Sequence, residues 1–351
     1  MKPYWLYVAV SLITCWVGCI RDQEVFEREE LYEVHTLPFE NEVLRVRRTG
    51  ATLPNFLNSI YFLDSLTGIA TTYISEIYRT TNGGVSWELV VPSGAFGVTF
   101  RDICFVNPDT GYVNAIWNVQ TTQGSILRGA LFRTLDRGAT WDTVWQADGV
   151  VYITMTCSQE GTPVVFRDIN ANTATVISED GGITWSEKDY PQTYIYKLFS
   201  GRGYVIGTGM WEARLSADQG HTWSGLDIWG DLSLRYISVA DSIAYCLLDD
   251  NVMMTVNLHT YALGKPYTPI YHQAEAHAVS DTECLIAGRG NLGIVENDFS
   301  EYGILAYSRD EGQHWQEWMF SDLTNWIFWH NYTPRAGYCV VGQQLIHVRI
   351  K

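Results

Sequence analysis

An eight-residue pattern recurs five times along the chain, and its spacing limits the fold more than any other feature. The copies are TTNGGVSW from Thr80 to Trp87, TLDRGATW from Thr134 to Trp141, SEDGGITW from Ser178 to Trp185, SADQGHTW from Ser216 to Trp223 and SRDEGQHW from Ser308 to Trp315. Their third position falls at Asn82, Asp136, Asp180, Asp218 and Asp310. A degenerate copy, Thr255 to Tyr261, divides the widest gap, which leaves a period of roughly 40–50 residues and so a repeat architecture. Ahead of each copy come two apolar runs split by a turn, as in SIYFLDSLTGIATTYI and DICFVNPDTGYVNAIW. The copy and its flanks supply two more, as in LFRT and TWDTVW. Four short antiparallel strands per period describe the blade of a β-propeller, and no helical periodicity follows the first residues.

The pattern suits a hairpin turn. Its Asp or Asn accepts backbone N–H bonds within the turn, its Gly takes the positive φ that other residues resist, and its Ser and Thr hydroxyls add local bonds. Trp87, Trp141, Trp185, Trp223 and Trp315 are then expected to pack between neighbouring sheets. Repetition at one place in every blade makes Asp180 a turn-former at the rim, where a lone Asp would invite reading as a catalytic acid.

Six copies mark six blades. The tail TNWIFWHNYTPRAGYCVVGQQLIHVRIK holds about three more strand-like runs and no copy, so a seventh blade lacks its outer strand. Glu42 to Thr49, EVLRVRRT, is placed to fill it and so remove the exposed sheet edges. The expectation is an all-β, seven-bladed propeller, with six or eight blades the neighbouring counts.

Composition agrees. The chain has 351 residues, 46% hydrophobic and only 18% charged, with 14 Trp and 21 Tyr, a balance for pleated strands with a sizeable core. The net charge of -16 repels phosphates and anionic headgroups, and no local basic run offsets it, so nucleic acid is not an expected partner. Cys104, Cys157, Cys246, Cys284 and Cys339 stand in apolar stretches without metal-ligand spacing and are read as small buried hydrophobes. No cofactor or metal is expected.

The first residues, MKPYWLYVAVSLITCWVGC, hold an apolar run too short for a comfortable membrane span, in the place of an export signal. Trp16-Val17-Gly18 ahead of Cys19 resembles a bacterial lipoprotein signal, which implies lipidation at Cys19, with Cys15 a competing acceptor. The acidic stretch IRDQEVFEREE then reads as a tether. The expected organisation is a signal over 1–18, a tether over 19–41 and a propeller over 42–351. The expected location is the bacterial cell envelope, as an outer-membrane lipoprotein that its acidic start suits to the cell surface, a monomer touching membrane only through its lipid.

The repeated S/T-x-D-x-G-x-T-W resembles the Asp-box, or bacterial neuraminidase repeat, shared by sialidases, sortilin-type receptors and photosystem II assembly-factor propellers. The phrasing LNSIYFLDSLTGIATT…IYRTTNGGVSW is most similar to the assembly-factor type, which implies protein binding without catalysis. A sialidase would need three converging arginines, a Tyr–Glu nucleophile pair and an acid. The Arg-Ile-Pro sequence of that family is missing from VLRVRRTGATLPN, and Arg45, Arg101, Arg167, Arg214 and Arg335 hold unlike repeat positions. The enzyme reading, a divergent sialidase-like or other glycan-active enzyme, therefore stands second to a non-catalytic module binding a protein or glycan at a propeller face.

Candidate binding residues are the aromatics near predicted loops, Trp117, Trp211, Trp326 and Trp329, together with His330 and Arg335. Blade packing is the plainer reading for any one of these Trp, and a loop or core role for His330. Residues 118–129 and 288–302 are the expected variable loops, where function is grafted.

Overall fold

The computed structural model describes residues 34–50, 53–93, 98–122, 124–158, 161–169, 172–190, 195–201, 203–209, 213–226, 234–248, 252–267, 271–291, 301–321, 326–341 and 343–351. Every regular element among them is a strand. Three short strands come first: β1 (Val34–His35), β2 (Phe39–Glu40) and β3 (Leu44–Arg48). Blade 1 is then β4 (Leu57–Phe62), β5 (Gly68–Thr72), β6 (Ile77–Thr80) and β7 (Glu88–Val91), and blade 2 is β8 (Thr99–Phe105), β9 (Gly111–Thr121), β10 (Gly124–Thr134) and β11 (Asp142–Asp148). Blade 3 is β12 (Val150–Cys157), β13 (Pro163–Ile169), β14 (Asn172–Ile177) and β15 (Ser186–Asp189), and blade 4 is β16 (Lys197–Gly201), β17 (Tyr204–Thr208), β18 (Ala213–Ser216) and β19 (Ser224–Gly225). Blade 5 has three strands, β20 (Leu234–Val239), β21 (Ile243–Leu248) and β22 (Met253–Asn257). Blade 6 is β23 (Tyr271–Ala278), β24 (Cys284–Asn291), β25 (Glu301–Ser308) and β26 (Gln316–Phe320), and blade 7 is β27 (Trp326–Thr333), β28 (Ala336–Val341) and β29 (Gln344–Ile350).

The first strand of each blade packs against the first strands of its two neighbours, β27 against β4 included, so seven sheets close a ring around a central channel. Seven hydrophobic clusters lie one at each blade interface. Between blades 1 and 2, for example, Ile69 and Ile77 meet Phe100, Phe132 and Trp141. No single core exists: each sheet buries one face against each neighbour, and stability is distributed around the ring.

The ring is closed by the N-terminal strand, as the missing outer strand of the tail predicts. Strand β3 pairs antiparallel with β29, from Ile346↔Arg48 to Ile350↔Leu44, and becomes the fourth strand of blade 7. Its Leu44 and Val46 are fully buried between blades 6 and 7. The folded body reaches further back than residue 42. Strand β2 adds a fifth strand to blade 7, and β1 pairs in parallel with β26 at the rim of blade 6. Glu40 clasps this segment, accepting from Arg45 and Arg47 and pairing with Lys351; Arg45, Lys351 and Arg47, in that order, hold its carboxyl down to about 2.

Each repeated turn joins the third and fourth strands of its blade, and all five share one geometry. The leading Ser or Thr hydroxyl donates to Oδ1 of the Asp or Asn at 2.8 to 3.0 Å and accepts the Gly N–H two residues beyond it at 2.7 to 2.9 Å. That same Oδ1 accepts the backbone N–H four residues on at 2.7 to 2.9 Å. The Gly lies at positive φ, from 78° at Gly312 to 93° at Gly220. At Gly138 a Cβ would also stand 2.2 Å from Cδ1 of Ile69 in the preceding blade, so both backbone and space require glycine. The tryptophans pack toward the preceding blade, Trp141 toward blade 1 and Trp223 toward blade 3. Trp141, Trp223 and Trp315 donate their indole N–H to the box glycine carbonyl. Trp87 and Trp185, the two that follow a Gly-Gly pair, find no acceptor. In the degenerate copy the leading Thr255 and Asn257 remain and the Gly and Trp are lost: Asn257 Oδ1 accepts from His259 and Thr260, and an irregular stretch bridging at Leu263 and Tyr267 replaces a fourth strand.

The Asp boxes make stability depend on acid. Asp180 is held down to about 2, against 3.8 unperturbed, first by the Thr184 hydroxyl and backbone N–H. In Asp136, Asp218 and Asp310 burial pushes the carboxyl up, but bonds from Thr140, Thr222 and His314 outweigh it and the net shift is downward. A carboxyl depressed on folding stabilises fully above its unfolded value and loses that contribution as pH falls through the folded one. Thermal melts should therefore show a falling midpoint below about pH 4 and toward pH 2; a flat profile across that window would contradict the box geometry.

Two expectations are corrected. Cys104 and Cys157 form a disulfide, Cα atoms 5.6 Å apart, that ties β8 of blade 2 to β12 of blade 3; among the described residues Cys246, Cys284 and Cys339 are the buried thiols. Their apolar settings concealed that the two pairing cysteines occupy matching places near the ends of adjacent inner strands. Residues 118–121 and 124–129 are also strand rather than loop. Strands β9 and β10 stay in register from Thr134↔Gly111 to Gly124↔Thr121, five pairs past the last β8 partner of β9, Thr99↔Ile116.

Candidate binding face

The chain direction gives the ring two unlike faces. The repeated turns bond to the first turns of their own blades, Gly83 N–H to Leu66 O and Arg137 N–H to Asp109 O, so boxes and first turns share one face. The opposite face carries the starts of the inner strands, the turns between second and third strands, and the ends of the fourth. Both segments expected to vary emerge there: the β9–β10 ribbon, and the β24–β25 hairpin, whose last described pair is Asn291↔Glu301. Residues 292–300 lie outside the described residues.

The channel has a volume of about 1480 Å³ and is lined by the inner strands of all seven blades. Its mouth carries two cations laid on aromatic rings. The Arg101 guanidinium sits 5.2 Å from the centre of the Tyr152 ring, one blade on, and the Lys197 ammonium 5.1 Å from that of Tyr236, again one blade on. Lys197 also lies 5.2 Å from the Phe199 ring. Such contacts hold a cation in place without neutralising it. Asp102, beside Arg101, is engaged elsewhere: its Oδ2 accepts from Asn114 and from the Met155 N–H, and its own N–H donates to Asn114 Oδ1 across the β-bulge at Phe100/Ile103.

Deeper in the channel His330 is a structural group. Its Nδ1 accepts the Phe62 N–H at 2.9 Å and its ring lies 3.8 Å from that of Tyr61, joining blades 7 and 1. Burial, then the neighbouring His277, lowers it to about 3, so it stays neutral at physiological pH. His277 is lowered to about 4, again chiefly by burial, and bonds the Pro334 carbonyl.

The sequence-derived candidates scatter. Trp117 lies on β9, half-buried against the cluster between blades 1 and 2. Trp326 and Trp329 lie on β27, the inner strand of blade 7, not on a loop. Trp211 and Cys19 lie outside the described residues. Arg335 sits in the β27–β28 turn on the box face, where it pairs with Glu283 of blade 6 at 2.5 Å, a blade-to-blade tie. The five arginines weighed for a sialidase do not converge. Arg45 is on the outer strand of blade 7, Arg101 in the channel, Arg167 on the second strand of blade 3 bonded to Glu187, Arg214 on the third strand of blade 4 and Arg335 on the box face.

Phe56, Tyr73 and Ile74 were missed. They sit at the mouth on blade 1, Phe56 just ahead of β4 and the other two in the β5–β6 turn, with the Tyr73 N–H bonded to the Phe56 carbonyl. They are 66%, 59% and 42% exposed. An apolar TTYI ending a strand pattern gives no sign that its last two residues face water.

The profile of the BNR/Asp-box repeat matches residues 176–187, the third box. With the ring geometry, that decides the architecture. The chain is a seven-bladed Asp-box propeller. No curated protein matches its sequence. Among solved structures this Asp-box propeller is similar to YCF48 bound to D1 peptide, at 15% identity and a TM-score of 0.60 over 91% of this chain and 99% of that one. It is similar to YCF48 from Cyanidioschyzon merolae at 14% identity and a TM-score of 0.58, covering 88% and 99%. The Pan2 WD40 domain of Neurospora crassa follows at 8% and 0.53, covering 90% and 97%. At these identities the likeness is one of fold.

Proposed function

We propose that this Asp-box propeller is a non-catalytic binding module whose channel mouth receives a segment of a partner protein. The observation that carries the reading is the convergence at one mouth of features that the repeat does not supply: the β9–β10 ribbon, the exposed Phe56, Tyr73 and Ile74, and the ring-mounted Arg101 and Lys197. The box face, by contrast, carries turns that repeat. A similar propeller has been captured with a peptide, which supports a protein ligand. The dispersal of the arginines argues against sialidase-like chemistry.

The reading extends to location. An inter-blade disulfide suits an oxidising compartment, as does the export-like leader ahead of Cys19. We place the protein at the bacterial envelope, tethered by lipid on Cys19. The test is a photoreactive residue at Tyr73, compared with one at Ile183 on the box face, in cells fed a labelled fatty acid. A discrete protein adduct from position 73 alone, and lipid label lost in Cys19→Ala, are expected. Adducts only from position 183 would overturn the binding face, and label retained in Cys19→Ala the anchor.

A further inference from the structure

The box turns are not alike at their tips. The side chains at the second and sixth positions of each copy take no part in the bonds that the copies share, and in the first three blades one of the two is an exposed aliphatic. These are Val85 in blade 1, Leu135 in blade 2 and Ile183 in blade 3, at 57%, 59% and 76% exposure. In blade 4 the same positions hold Ala217 and His221, and in blade 6 Arg309 and Gln313. Leu66, 57% exposed in the first turn of blade 1, completes the row. Its carbonyl accepts the Gly83 N–H of the first box, and Asp64 of the same turn pairs with Arg137 of the second. Arg133 of blade 2 in turn donates to the Gly181 carbonyl of the third. Four aliphatic tips thus stand on linked turns across three adjacent blades of the box face. The exposed Tyr261 of blade 5 is separated from them by the polar box of blade 4.

The arc is a set of points rather than a groove. Between the aliphatics stand groups already engaged within their own turns: Asn82 donates to Ser86, Thr140 to Asp136 and Thr184 to Asp180. A protein partner needs contiguous, complementary surface, which separated tips do not offer. A fluid hydrocarbon boundary closes around each tip by itself. Chain direction points the same way. Strand β1 runs parallel to β26, which leaves the box turn of blade 6, so the chain enters the body at Val34 from the box side. Fourteen residues separate Val34 from Cys19, a reach of at most about 50 Å. Charge selects the lipid, because a net charge of -16, with Asp136 and Asp180 among the tips, disfavours anionic headgroups.

Resting on the reading of a lipid anchor at Cys19, we propose that the box face of blades 1 to 3 lies on a zwitterionic lipid surface. Leu66, Val85, Leu135 and Ile183 are set into the boundary between headgroups and acyl chains. One acyl chain holds a protein to a membrane only marginally, and this second contact strengthens the hold. It also fixes orientation: the mouth then opens away from the membrane, toward its partner.

The test uses the full chain, expressed in bacteria and reconstituted in phosphatidylcholine vesicles. A diazirine residue replaces Val85, Leu135 or Ile183, and in separate proteins Ala217, Gln313 or Tyr73. After illumination and digestion, mass spectrometry reads phospholipid adducts at each position and the lipid on Cys19. Adducts at 85, 135 and 183 should exceed those at 217, 313 and 73 about tenfold or more, and should fall when phosphatidylglycerol replaces part of the phosphatidylcholine. Leu66→Ser/Leu135→Ser should lower the adducts at 183 while the melting midpoint holds, since both side chains are exposed. Equal adducts at all six positions would overturn the docking, and cross-linked pairs of this chain from 135 and 183 would overturn it in favour of a second copy. Lipidated Cys19 without adducts at 85, 135 and 183 would overturn the docking and leave the anchor; adducts there on a chain without lipid at Cys19 would overturn the anchor and leave the docking.

Discussion

A chain that begins at residue 50 is expected to lose its cooperative thermal transition and aggregate. Removal of β3 strips five ladder pairs from β29 and leaves its long edge open at the rim of blade 7. It also removes Leu44 and Val46, both 0% exposed, from the cluster that joins blades 6 and 7. Burial of each is worth about 1.5–3 kcal/mol, so the pair alone accounts for a large share of the 5–15 kcal/mol that typically separates folded from unfolded chains. In a ring the loss is not local, because opening one interface exposes two blade faces. A synthetic peptide spanning 34–49, added during refolding, should restore the transition, and Val46→Asp should reproduce the defect within the full chain. A truncated protein that melts like its parent would mean the ring closes some other way.

That closure was legible because it is a matter of counting. The tail offers three strand-like runs without a box, and EVLRVRRT is an alternating run with no other sheet to join. The boxes were legible for a related reason: a turn bonded through its own Ser/Thr and Asp depends on adjacent residues, so its geometry is local. What depends on neighbouring blades was not. Cys104 and Cys157 look like buried hydrophobes until adjacent inner strands set them side by side. The ribbon over 117–127 is polar at its tip and reads as a loop; only continued pairing with β10 makes it a strand. Arg335 looked like a binding residue because its partner, Glu283, comes from another blade. Phe56 and Tyr73 carried no signal, since exposure of a strand-flanking aromatic is decided by what fails to cover it.

The central claim is a division of labour: the box face holds the ring together and the mouth face binds. It is tested most directly by measuring stability and partner capture in the same two variants. Ser178→Ala removes the acceptor of the buried Gly182 N–H and the donor to Asp180, and the stranded N–H should cost about 1–3 kcal/mol, lowering the melting midpoint by several degrees. Capture of the partner through a photoreactive residue at Ile74 should be unchanged at a temperature where the variant remains folded. Phe56→Ala/Tyr73→Ala should do the reverse: its side chains are mostly exposed, so the midpoint should hold, while capture falls about tenfold or more. Loss of capture in Ser178→Ala, or full capture in the Phe56/Tyr73 variant, would contradict the assignment of binding to the mouth.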